Sequence, residues 1–266
     1  MSTPPNLPFP DCHVDELREL FRQQGAEAVI AFILAHPDRS QRRQLFSLAH
    51  QVIGCAEGHG GNLDDYIVLM HAAFAEFLKQ ATEEKDPAEA AKRKDGANML
   101  SYNFASTLAE CWPEDPAPRL GHHFRAGLRA AERCLAWRRE LNKPPFSFSL
   151  AWWAKGVHEL SLANFAAAAT SFAESAAQAT LAARTDGRNP ALVPNGDYLF
   201  VLAEGYRGLA LARAADPAGA PLFAAACTAF EQTIAQFPGE HADDAQVGLA
   251  QLRCMKERLE KRLGAA

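Results

Sequence analysis

No segment of this 266-residue sequence is apolar for long enough to cross a bilayer as a helix. The longest such run, Ala28 to Ala35, falls well short of the roughly 20 residues required. The start, Met-Ser-Thr-Pro-Pro-Asn-Leu-Pro-Phe-Pro, lacks the basic opening and apolar core of a secretory signal, and its prolines favour an extended leader over residues 1–12. A cytoplasmic protein without a membrane partner is the expectation. Cysteine is scarce: the six residues at 12, 55, 111, 134, 227 and 254 contain no C-x-x-C pair, so neither a disulfide framework nor a cysteine-rich metal site is expected. Positive charge is not in excess either. The 27 Lys and Arg against 32 Asp and Glu leave a formal net charge of −5, which argues against nucleic acid as the main partner. Missing too is the alternation of β-branched and aromatic residues that a strand requires.

What is present is helical period. Leu63, Ile67, Met70, Phe74 and Phe77 step by four and three between Asn62 and Glu84, with Asn62 as cap and Asp64 and Asp65 in the first turn. Leu45, Leu48, Val52 and Cys55 repeat the step between Ser40 and Gly58, after two shorter stretches, Val14–Gln24 and Ala26–Ala35. Further helices are expected over Pro87–Trp112, Pro118–Asn142, Ser147–Arg184 in two parts, Asp197–Ala214, Pro221–Phe237 and His241–Leu263, with Pro or Gly at nearly every break. The prediction is an all-α chain of about ten or eleven helices in which antiparallel neighbours bury one stripe each.

From Trp152 the sequence reads Trp-x-x-Lys-Gly-x-x-Glu, followed by Phe165, Ala168, Phe172 and Ser175. Phe223, Ala226, Phe230 and Thr233 repeat the last four at identical intervals, closed by Pro238. These offsets resemble the tetratricopeptide repeat, with its W-x2-L-G-x2-Y signature, then A-x3-F and a later Pro. Lys155 and Glu159 stand in for the usual Leu and Tyr, and Thr180 for the first closing Pro. Either Gly205 or Gly208 fits as the small contact of the second pair. Ala245, Leu249, Leu252, Met255, Leu259 and Leu263 resemble the solvating helix that caps such arrays. The resemblance implies a right-handed solenoid of stacked helix pairs over residues 85–266, preceded by a helical segment over 13–84.

It also implies a function. In this family the first helix of each pair lines a concave groove that holds a protein or peptide segment. Counted from Gly156, the groove positions are Leu150, Trp153, Val157 and Leu160, continued by Leu202 or Tyr206. Trp153 and Val157 replace the Lys and Asn of the carboxylate-clamp subset, so apolar contacts are expected to hold the partner. A non-enzymatic interaction scaffold without cofactor or metal is the leading expectation.

Other chemistry is weaker. His50, Cys55 and His59 are spaced so that they do not share a helix face, and Gly58-His59-Gly60-Gly61 has no preceding strand and acidic neighbours, which suits a plain turn better than a phosphate cradle. Adjacent His122-His123 diverge, and Asp64/Asp65, Glu83/Glu84 and Asp243/Asp244 suit helix ends. Arg125, Arg129 and Arg133 form a basic ridge continued by Arg138 and Arg139, which with Glu132 and Glu140 among them resembles a solvated face. The competing functional class is an all-α enzyme or small-ligand receptor with a polar pocket between the N-terminal helices and the repeats, using His71, Asn98, Asn103 or His158. Self-association through helix surfaces is the third possibility.

Overall fold

The computed structural model describes residues 8–264. Most of the expected leader lies outside the described residues, and its end forms a 3-10 turn at Asp11–His13. Every other regular element is an α-helix, with no strand among the described residues: α1 (Val14–Ala35), α2 (Arg39–Ile53), α3 (Ala56–His59), α4 (Leu63–Glu83), α5 (Pro87–Leu108), α6 (Gly121–Glu140), α7 (Pro145–Ser161), α8 (Phe165–Thr185), α9 (Tyr198–Arg213), α10 (Gly219–Gln236) and α11 (Glu240–Gly264). None of these is long and apolar enough to cross a membrane. The chain divides into two compact units at Thr107 and Leu108.

In the first unit, Gly25 breaks α1 into the two stretches read from sequence, because its backbone is left the helical region (φ 76°, ψ −167°). A Cβ there would lie 2.4 Å from Asp65 Oδ2, so only glycine lets the carboxylate approach. The α4 stripe is core as expected, with Leu63, Met70, Phe74 and Phe77 buried and Ile67 half-buried. Asn62 accepts from the Asp65 amide and caps that helix. Phe104 of α5 meets Tyr66 and Phe74 at centroid distances of 5.7 Å. Cys55 drops out of the α2 stripe, since the helix ends before Gly54 and the Cys55 thiol turns to accept from the Gly58 amide.

His50 and the fully buried Tyr66 share a hydrogen bond of 2.8 Å, and burial holds the imidazole down to a pKa of about 4. Its unfolded value, 6.5, is higher, so the unfolded chain binds the extra proton first as pH falls. Stability of this unit therefore declines from about pH 6.5 toward pH 4 and levels off below both values. The loss is on the order of 3 kcal/mol. Urea unfolding of wild type and His50→Gln at neutral pH and near pH 4 measures it. If the substituted protein loses as much stability on acidification as wild type, His50 is not the group responsible.

In the second unit each helix from α6 to α10 packs on its successor, and α7 touches α9 as α9 touches α11. This sequential packing is consistent with a helical solenoid. The recurring interval has a structural counterpart: Ala168, Phe172 and Ser175 of α8 and Ala226, Phe230 and Thr233 of α10 are all buried, while Phe165, which opens α8, and Phe223, the fifth residue of α10, are half-buried. The Phe172 ring stacks on Tyr206 at 5.2 Å, and a Cβ on Gly156 would come within 2.7 Å of it. Both glycine candidates in α9 are close contacts. Gly205 faces Leu252 and Ala226, whereas Gly208 lies against the backbone of Phe223 and Gly219. The helices α7 and α9 end alike, with the amide of Asn164 returning to Glu159 O, that of Asp216 to Leu211 O, and an alanine (Ala163, Ala215) in the left-handed region.

Two replacements in the repeat signature are also explained by packing. Lys155 and Glu159 form an ion pair, and both meet Ser171 of α8, whose hydroxyl donates to Glu159 at 2.6 Å. A satisfied polar cluster thus joins α7 to α8 at the two positions where the repeat signature has Leu and Tyr. The largest difference from the sequence reading lies between α5 and α6. The first ends at Leu108 rather than Trp112, and the second begins at Gly121 rather than Pro118. Residues 109–120 are neither helix nor strand.

Candidate binding groove

Prolines at 113, 116 and 118 bar Trp112, Asp115 and Ala117 from the helical region and leave the segment 109–120 extended, apart from a turn in which the Asp115 amide donates to Trp112 O. An extended backbone has carbonyls to satisfy, and α11 supplies the donors. Arg258 donates to the carbonyls of Glu110 at 2.8 Å, Trp112 at 3.0 Å and Asp115 at 2.8 Å. One turn on, Arg262 donates to both carboxylate oxygens of Glu110, at 2.6 and 2.7 Å, while its guanidinium sits 5.2 Å over the Phe124 ring. One turn back, the Cys254 thiol donates to the Glu110 carbonyl. Residues spaced by four share a helix face, so a single stripe of α11 grips this strap.

The strap's side chains reach the helices chosen from sequence. Trp112 meets Trp153 edge-on at 6.3 Å, and Trp153 in turn meets Tyr206 at 6.2 Å. Cys111 is fully buried beside the Tyr206 hydroxyl, and burial pushes its thiol up to about 12. Burial, followed by the Cys111 neighbour, likewise raises Tyr206. Asp115 and the buried Arg119 form an ion pair inside the strap, and Arg119 donates to Ala117 O at 2.7 Å.

Of the residues expected to line an open groove, Trp153, Val157, Leu160, Leu202 and Tyr206 are buried, and only Leu150 is half-buried. The stripe is thus not open surface. Trp153 and Tyr206 face a segment of their own chain. The Trp153 indole N–H is buried without an acceptor, and the Tyr206 hydroxyl, near the Cys111 thiol, makes no well-formed hydrogen bond. Sequence reasoning missed Glu110, Trp112, Arg258 and Arg262. The available signals were the closely spaced prolines after Trp112 and the four-residue step of the arginines, which read as cap solvation.

The other candidates lie on several elements. His71 is exposed on α4, Asn98 is buried on α5 and donates to Asp95, and Asn103 is half-buried on α5, all in the first unit. His158 is in the second unit, buried on α7 where its ring would meet a Cβ on Gly127. His59 accepts from the Gly61 amide within its own turn. Arg125, Arg129 and Arg133 are exposed, but Arg138 is buried and donates to Ser147 O. A cavity of about 410 Å³ opens at the α8–α9 loop between Tyr198, Phe230 and His241. Its arginine, Arg188, is already paired with Asp186 and Asp197.

Comparison with protein-family models, curated proteins and solved structures finds no match.

Proposed function

We propose that the second unit is a non-enzymatic interaction module of the tetratricopeptide kind, which holds an extended segment of a protein partner along α7, α9 and α11. The observation that carries this reading is Arg258, whose guanidinium takes three main-chain carbonyls of an extended segment. Donors aimed at main-chain carbonyls recognise backbone rather than a particular side chain, which suits a peptide. Trp153 adds an aromatic anchor of the type that dominates interface energies once desolvated.

Selection from a random-peptide library on the full chain tests it, with wild type and Glu110→Gln as baits and Arg258→Ala as the counter-screen. Peptides enriched by either bait and lost with Arg258→Ala are expected. Absence of any peptide that depends on Arg258, with all three proteins folded, removes the reading.

A further inference from the structure

The strap makes its contacts as a bound peptide would, through carbonyls to Arg258, one carboxylate to Arg262 and one aromatic ring on Trp153. It also fits imperfectly. Trp153 Nε1 is buried with no acceptor, although buried donors are costly to leave unmade. An acceptor brought by another segment would gain a hydrogen bond there that the strap does not make.

We propose that residues 109–119 occupy the groove in cis, and that the partner which displaces them is an extended segment carrying an acidic residue two positions before an aromatic one. The acidic side chain takes the place of Glu110 at Arg262, and the aromatic ring that of Trp112 against Trp153. This rests on the reading of the second unit as a peptide-binding module. Charge complementarity supports that partner: the guanidinium of Arg262, held over Phe124, pairs with the Glu110 carboxylate, and a carboxylate from another segment matches it equally. Tethering gives the strap the advantage of an intramolecular ligand, so an outside segment binds with its affinity reduced by the fraction of time the groove is open. Weakening the strap raises that fraction.

The test uses the full chain and a fluorescent synthetic peptide copying residues 108–120, read by anisotropy. Glu110→Gln, which removes one charge at constant shape, and Trp112→Ala are each expected to bind the peptide about tenfold more tightly than wild type. Adding Arg258→Ala to either abolishes the gain. If Trp112→Ala does not fold, Glu110→Gln alone decides. In parallel, saturating wild type with unlabelled peptide is expected to speed alkylation of Cys111, followed by peptide mapping, because the buried thiol is released with the strap. Folded strap variants that bind no more tightly than wild type, or alkylation unchanged at saturation, overturn the proposal. Equal tight binding by wild type and variants removes only the strap's role, whereas failure of every protein to bind this or any library peptide removes the module reading itself.

Discussion

Phe172→Ala is expected to destabilise the second unit by about 3–5 kcal/mol, the range for truncating a well-packed phenylalanine. Phe172 has 0% exposure, its ring is stacked on Tyr206 with an interplanar angle of 20°, and the would-be Cβ of Gly156 lies 2.7 Å from it. Three helices thus close on one ring, α7 through glycine, α8 as its carrier and α9 through tyrosine. Truncation leaves a cavity that these backbones cannot collapse into, because Tyr206 is itself held against Trp153. Thermal unfolding followed by circular dichroism should show the transition of this unit lowered by about 6–20 °C. A shift of about 1 °C or less would mean that the ring does not hold these helices together.

Gly208→Ala runs against intrinsic preference and is for that reason informative. In a helix interior alanine is favoured over glycine by about 1 kcal/mol, so propensity alone forecasts stabilisation. The new methyl, however, would sit 2.4 Å from the Phe223 amide nitrogen and 2.9 Å from Gly219 O. Both obstacles are main chain, so relief requires α9 and α10 to separate. Overpacking of that kind costs about 3 kcal/mol at the upper end, which leaves a net loss of about 2 kcal/mol. Gly121→Ala is the control, since its methyl would meet only the flexible end of Arg125 at 3.2 Å. Chemical denaturation should find Gly208→Ala destabilised and Gly121→Ala neutral or slightly stabilised. A stabilised Gly208→Ala protein would show that the α9–α10 contact is looser than its geometry.

Both substitutions probe elements legible in the sequence. Phe172 was marked by its interval from Ala168 and by the matching pair Ala226 and Phe230, and Gly208 was one of two glycines the register allowed. Tertiary contact resolved that ambiguity by using both, Gly205 toward α11 and Gly208 toward α10. The candidate site was legible in a narrower sense. Trp153 and Tyr206 do lie along the helices that face an extended segment, but their occupant could not be read. Glu110 and Arg262 are far apart in the sequence, and no local pattern links a carboxylate to a guanidinium at that distance.

The sequence by itself determined most of the helices and their boundaries, α3 apart, and the buried stripes of α4, α8 and α10, because apolar period, capping residues and the stiffness of proline act over a few neighbouring positions. Only the tertiary structure decided that α5 stops at Leu108, that Lys155 and Glu159 meet Ser171, and that residues 109–120 lie under Arg258 and Arg262. In each of these a polar group finds its partner on another element. Periodicity marks which face of a helix leaves water, but the geometry of the assembled helices selects which donor waits on the other side.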